Sequence, residues 1–482
     1  MFLSSTRMFR VVLPLLVCGF AMGQPFGEFS RTGDMVTPRA DHTATLLTTG
    51  KVLLAGGFGL TAFNPPVASA ELYDPSTGTF TPTGSMTTKR AQHIATLLPD
   101  GKVLIAGGRD VANGALLTST ELYDPLTELF TPIRDRTPVL DSWGTATLLG
   151  NGKVLLNGPS SAALYDEATG LLTAAGAYDG RSPAFVETAT LLPDSRVLIT
   201  GVEAHGAGWA QLYDARTGAF SLTPRGAGQD EWNRATLLIN GKVLFLSSGE
   251  GDGTTSGDLA WAEVYDPIAG TYTSHGETIA SHQASATTLL PDGNVLITGG
   301  QMPGGNGSVN TEVYAAASSA FAPTGNMITA RHNHTATVLP DGTVLVAGGY
   351  SVWPNPTSSA EIYKPPVLHA APRLFALSHD GQGQGAILHA DTHQAVSSTN
   401  PAIDGETLEV YCTGLIDGGV IPPQVTIDGR IAEVLYFGSA PGFASLNQVN
   451  VRVPSGVGPG PAVPVRLSYL DRPSNDVTIA VR

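Results

Sequence analysis

At 482 residues, with 57 Gly and 34 Pro, the chain carries too many helix breakers for a coiled coil or helical repeat. Its hydrophobic share of 42% is too high, and its charged share of 14% too low, for a disordered chain. A formal net charge of −15 and a pI near 5.1 argue against nucleic acid or an anionic membrane as partner, because both attract a positive field.

In chain order, the first element is a leader. Arg7 and Arg10 precede an apolar run over 11–20, and the small residues Ala21 and Gly23 follow. This pattern predicts a signal peptide over 1–23, cleaved near Gly23–Gln24, and hence an exported protein, whether periplasmic, cell-surface or extracellular. Val17 stands where a small residue is wanted before a lipid-bearing Cys18, so a lipoprotein signal fits poorly. Removing Arg7 and Arg10 takes the net charge from −15 to −17. No later stretch is apolar for long enough to span a bilayer, so no integral membrane segment is expected after cleavage. Cys412 is then the one remaining thiol, which excludes an internal disulfide.

Seven copies of one unit follow. HTATLLTTGKVLLAGG from His42, HIATLLPDGKVLIAGG from His93 and HTATVLPDGTVLVAGG from His334 are the clearest. A register Thr recurs at Thr45, Thr96, Thr147, Thr190, Thr236, Thr288 and Thr337, at intervals of 43 to 52 residues. That period with strand-like content predicts propeller blades. Each copy reads as four strands: a Leu-rich strand into Pro-Asp-Gly or Asn-Gly, an apolar strand such as 102–106, a third ending Glu-Leu-Tyr-Asp, and a fourth after Asp-Pro-x-Thr-Gly. The Tyr of every copy (Tyr73, Tyr123, Tyr165, Tyr213, Tyr265, Tyr314, Tyr363) is expected to wedge between neighbouring sheets. The seventh copy runs from Tyr363 into Lys364-Pro365-Pro366 without a fourth strand. Residues 26–35 (FGEFSRTGDM) match the fourth-strand segments at 77–86 and 319–327, so the N-terminal segment is expected to close the last blade.

The Gly pairs Gly56-Gly57, Gly107-Gly108, Gly299-Gly300 and Gly348-Gly349, the later Tyr, and the lead-ins Arg39/His42, Arg90/His93 and Arg331/His334 resemble the kelch repeat. Copies three to five depart from it, with Gly158-Pro159, Gly201-Val202 and Ser247-Ser248 in place of the pair. The expected fold is all-β: a seven-bladed kelch-type propeller over 24–366 and a β-sandwich over 371–482. Short alternating strands near 407–413, 424–427, 432–437, 448–453, 463–470 and 476–481 predict that second domain. Over 438–454 and 475–481 it resembles the immunoglobulin-like (IPT/TIG-type) domain common on exported bacterial proteins.

This order of domains is similar to galactose oxidase and glyoxal oxidase. That resemblance implies copper held by a Tyr crosslinked to Cys, a Tyr–His pair and a further His. The propeller copies contain no Cys, and His332 and Asn333 stand where the Tyr–His pair is wanted, so no copper and no other cofactor is expected. His332 and His334 form an HxH pair, but His334 shares its repeat slot with His42 and His93, which favours a structural role over metal binding.

The slot six before each register Thr holds Arg39, Arg90, Asp141, Ala184, Asp230, His282 and Arg331. Trp143 and Trp232 follow two residues after Asp141 and Asp230, and Arg109, Tyr350 and Trp353 follow Gly pairs. These residues are expected at the propeller mouth. There they would either bind an acidic peptide, a uronic sugar or another glycan, or pair with carboxylates and stitch blades together. The expectation is a non-catalytic binding protein for a protein or glycan ligand. The alternatives are a carbohydrate-active enzyme (oxidase, lyase or epimerase) using His282, His332 or acidic residues, and a cell-surface structural protein.

Overall fold

The computed structural model describes residues 26–60, 65–110, 116–133, 144–159, 161–179, 183–203, 208–223, 234–248, 259–302, 304–443 and 445–482. The leader over 1–23 lies outside them. All regular structure among the described residues is strand, and no helix is long and apolar enough to cross a membrane.

Seven four-stranded antiparallel sheets form the propeller. Blade 1 comprises Thr43–Leu46, Val52–Ala55, Ala70–Asp74 and Thr79–Pro82. The innermost strands of blades 2 to 7 are Ile94–Leu97, Thr145–Leu148, Pro183–Leu191, Arg234–Leu237, Ala286–Leu289 and Thr335–Val338. In blade 7 the outermost strand is Glu28–Arg31, which pairs with Ala360–Lys364 so that Phe29 faces Tyr363. The ring therefore closes with strands from both ends of the propeller sequence, which leaves no long edge open.

Near-continuous apolar strands are covered on both faces, as stacked blades require. Seven separate apolar cores result, one between each pair of neighbouring blades. The seven recurring Tyr are buried in them. Tyr73 stacks against Phe80 and Tyr363 against Phe29, with ring centres 4.8 and 5.0 Å apart. Their hydroxyls reach the outer edge of the preceding blade: Tyr73 to Thr32 (2.8 Å), Tyr123 to Thr83 (2.9 Å) and Tyr363 to Thr324 (2.9 Å). The wedge is thus also a clasp. Four register hydroxyls do the same near the axis, Thr96, Thr147 and Thr288 bonding the main-chain oxygens of Ala146, Ala189 and Ala336, and Thr236 bonding Thr287.

The Gly pair has a steric cause. A Cβ on Gly56 (φ +63°) would lie 2.4 Å from Arg90 O and 2.7 Å from the His93 ring of the next blade, and one on Gly57 (φ +94°) 2.6 Å from Ala40 O. Gly299 and Gly348 stand in the same way against His334 and His42. Copies three to five, which lack the pair, are each followed by a blade with Glu187, Asn233 or Ser285 in the His slot. No imidazole has to be admitted there, although copy two keeps Gly107 before a blade with Gly144 in that slot.

The C-terminal domain expected as a β-sandwich is a nine-stranded sheet that curls on itself around one core. Its strands run in the order Arg373–Leu374, Thr407–Thr413, Asn447–Arg452, Arg430–Ser439, Gln424–Ile427, Gly460–Tyr469 and Arg472–Pro473. Ile387–His389 and Val477–Val481 pair at its sides. The cause is Arg430–Ser439, which pairs with both Gln424–Ile427 and Asn447–Arg452 and shifts register between Val434 and Tyr436, bending the sheet around a single core. This sheet meets the propeller at the hairpin turns that join first and second strands. Val420 N donates to Ile239 O (3.2 Å) on blade 5, and Ala371 N to Pro340 O (2.8 Å) on blade 7. Gly429 lies against Asp100 of blade 2. Contacts on blades 2, 5 and 7 lay the sheet across that face of the ring, and the opposite face carries the Gly pairs.

Candidate functional site

The sequence reading placed Arg39, Arg90 and Arg331 at the mouth as ligand contacts. In the structure they pair with carboxylates, as the alternative held, but inside single blades rather than between them. All three are 0% exposed, and each guanidinium spends its terminal NH groups within its own blade, while the Nε of Arg39 and of Arg90 has no partner. Arg39 donates to Glu71 Oε1 (2.7 Å), Gly56 O (2.7 Å), Ser69 O (2.9 Å) and Ser69 Oγ (3.2 Å). Arg90 and Arg331 repeat the pattern with Glu121 (2.8 Å) and Glu361 (2.7 Å). Each Glu accepts two main-chain N–H groups besides, such as Val36 and Thr37 on Glu71. His282 occupies the same slot, buried, with Nδ1 donating to Gly299 O (2.7 Å) and Nε2 2.5 Å from Glu312. Buried guanidinium groups survive when paired with a carboxylate, so the three Arg–Glu pairs are framework, and His282, buried in the same slot, belongs to that framework. Asp141, Trp143, Asp230 and Trp232, and the side chain of Ala184, lie outside the described residues.

The lead-in histidines also turn inward. His42, His93 and His334 reach Thr335 (3.1 Å), Thr43 (2.9 Å) and Thr298 (2.8 Å) of the preceding blade. Burial drives all three well down the pKa scale, His93 to about 3, so the rings are neutral. The HxH pair is not a chelate: Asn333, at φ 51°, interrupts strand alternation and sends His332 and His334 to different partners.

The open mouth is built by the slot four before each register Thr. Asp41, Gln92, Ala284 and Asn333 all adopt left-handed φ values of 51–53°, which lets each main chain bond the previous blade. Asn333 N donates to Ala284 O (3.0 Å), Asp41 N to Asn333 O (3.1 Å) and Gln92 N to Asp41 O (2.9 Å). On this belt, Asn333 Nδ2 donates to Asp41 Oδ1 (2.8 Å), and Gln92 stands near enough to act on the same carboxylate. Desolvation lifts the Asp41 carboxyl to about 6, against the opposing pull of Asn333, Gln92, Arg234 and Arg109.

Beside the belt stands an aromatic tier. His332 donates from Nε2 to Gly305 O (3.2 Å) and stacks on Tyr350 with centres 5.3 Å apart; its Nδ1 is buried without a bond. Tyr350 continues to Trp353 at 5.8 Å, and Trp353 is 55% exposed. Burial and the Asp41 charge push the Tyr350 phenol up. Arg109, half-buried, adds its charge to the Asp41 field. Of the residues read from sequence as mouth residues, Arg109, Tyr350 and Trp353 therefore gather there.

Sequence reasoning missed Asp41, Gln92, Asn333 as a mouth residue, and Arg234. The signal was present: Trp143 and Trp232 belong to the same slot as Asp41, Gln92 and Asn333, and following those Trp around the ring would have marked it.

No family model matches the chain, and no curated protein matches it. Among solved structures it is similar to a fungal alcohol oxidase of the AA5 family, described as showing catalytic diversity and solved in complex with copper. The TM-score is 0.57 at 16% identity, covering 95% of this chain and 99% of that one. The likeness is one of fold. It supports an all-β, galactose-oxidase-like scaffold. The residues do not fit that protein's metal: Cys412, buried in the C-terminal sheet, is the one Cys among the described residues, and no three His, Cys, Asp or Glu among them are placed to hold a metal ion.

Proposed function

We propose that this chain is an exported, non-catalytic carbohydrate-binding protein: a kelch-type propeller whose open mouth takes a glycan, carried on an immunoglobulin-like C-terminal domain. The observation that carries the reading is the Asn333–Asp41–Gln92 chain beside the Tyr350–Trp353 tier. A carboxylate flanked by two amides offers paired acceptors and donors to sugar hydroxyls, and an exposed indole offers a face to the apolar side of a pyranose. The burial of Arg39, Arg90 and Arg331 removes the main argument for an acidic peptide. Glycan-array screening followed by calorimetry tests it. Trp353→Ala and Asp41→Ala are each expected to weaken binding about tenfold or more; unchanged affinity in both overturns the reading.

A second reading, a lyase or epimerase, draws on one observation. A carboxyl titrating near 6 beside a neutral imidazole and a phenol is suited to proton transfer at neutral pH. Turnover of a sugar panel that is lost in Asp41→Asn would favour it over binding alone.

A further inference from the structure

Among the described residues, Arg234 stands at the propeller mouth with a guanidinium that no hydrogen bond or ion pair engages. It opens the innermost strand of blade 5, in the slot two before the register Thr. The other six copies hold Thr43, Ile94, Thr145, Thr188, Ala286 and Thr335 there, so a cation is foreign to the repeat and is not needed to build a blade. Its direction follows from the charges that act with it. Glu187 of blade 4 and Asp41 of blade 1 both pull on the guanidinium, and the guanidinium in turn acts on His334 of blade 7. Only a side chain reaching from blade 5 toward the axis feels all three. Its side chain is exposed to solvent at the start of the strand.

The contrast with Arg39, Arg90 and Arg331 is sharp. Each of those spends its guanidinium on a Glu and main-chain oxygens, whereas among the described residues Arg234 makes no hydrogen bond and no ion pair. Asp41 does not bond it, and its carboxylate is held by Asn333. An exposed guanidinium that spends none of its five donors within the fold keeps its fork open to a ligand at the mouth.

We infer that the glycan of the mouth carries a carboxylate and that Arg234 grips it, making the ligand a uronic-acid sugar; this rests on the carbohydrate reading above. The planar fork of Arg matches a carboxylate in bidentate fashion. A singly charged group fits better than a dianion, since Asp41 and Glu187 already lend negative charge to the same space. The division of labour is then complete: Arg234 takes the acid group, the Asp41 chain takes hydroxyls, and Trp353 takes the ring face.

The test uses oligomers of galacturonate, glucuronate, mannuronate and guluronate, each alongside its carboxyl-reduced neutral counterpart, titrated into the full chain by calorimetry. The wild type is expected to bind at least one uronate about tenfold tighter than its reduced form, with the preference shrinking as salt is raised. Arg234→Gln should abolish that preference, and Arg234→Lys should restore part of it without the fork. Because Arg234 bonds nothing in the fold, both variants should unfold at the wild-type temperature. Equal binding of acid and reduced forms by the wild type, or a preference that survives Arg234→Gln, overturns this inference and leaves the carbohydrate reading standing. Binding of no sugar from either set overturns both.

Discussion

Asn333 Nδ2 donates to Asp41 Oδ1 across 2.8 Å, joining the last blade of the ring to the first. The bond lies where the chain closes on itself, and it ties a surface carboxylate to the frame that shapes the mouth.

That carboxylate should leave a mark on stability. Asp41 titrates near 6 in the fold but near 3.9 when unfolded, so its contribution is most favourable below pH 4 and is lost as pH rises through 6. Asp41→Asn should therefore stabilise the protein by about 1–3 kcal/mol at pH 7.5 and by much less at pH 4.5. Urea unfolding at the two pH values checks this. An equal gain at both would show that Asp41 is not desolvated.

The neutral histidines act in the opposite direction. The pKa of His93 is about 3 in the fold against roughly 6.5 in the unfolded chain. Its stabilisation is present above pH 6.5 and drains away as pH falls toward 3, and His42 and His334 share that direction. Acid unfolding should accordingly take up protons, and His93→Gln should lower that uptake by about one proton between pH 6 and 4. Calorimetry in buffers of different ionisation enthalpy measures it.

The buried ion pairs should be costly to break singly. Glu121→Ala strands Arg90 and frees the N–H groups of Thr87 and Thr88, for an expected loss of about 3–5 kcal/mol. Arg90→Met with Glu121→Leu should recover much of it, because the pair then leaves no uncompensated charge. A loss under about 1 kcal/mol in the single variant would contradict the assignment of these side chains to the framework.

Ring closure has its own sensitive point. A Cβ at Gly27 would fall 2.1 Å from the Tyr363 hydroxyl, so Gly27→Ala should push Glu28–Arg31 off the last blade. Overpacking of this kind costs about 1–3 kcal/mol, and hydrogen exchange should speed up first at the amides of Glu28–Arg31 and Ala360–Lys364.

The architecture was readable because it repeats. The likeness of residues 26–35 to 77–86 located the closing strand before any coordinates, since both segments must meet the same Tyr on a third strand. The mouth was harder to read, because a repeated charged residue can mean a surface ring or a buried pair. The sequence did hold the deciding clue: Glu71, Glu121, Glu312 and Glu361 stand two before their Tyr in the copies that carry Arg39, Arg90, His282 and Arg331. In those four copies base and acid recur together, as partners in one blade do, while copy five carries Glu263 with Asp230 in the lead-in slot. Asp41 and Arg234 were invisible for the converse reason. They depart from the repeat, and only their position facing several blades at once gives them meaning. The single curled sheet turned on a bend inside Arg430–Ser439 that alternation alone does not reveal.

Consider finally the belt of main-chain bonds linking Ala284, Asn333, Asp41 and Gln92. The main chain carries this hoop from blade to blade, and the Asn333–Asp41 bond adds to it at one joint only, so most side chains mounted there can be exchanged. Swapping them blade by blade should retune what the protein grasps while the hoop beneath keeps its diameter, which makes this chain a natural chassis for recognition of one's own choosing.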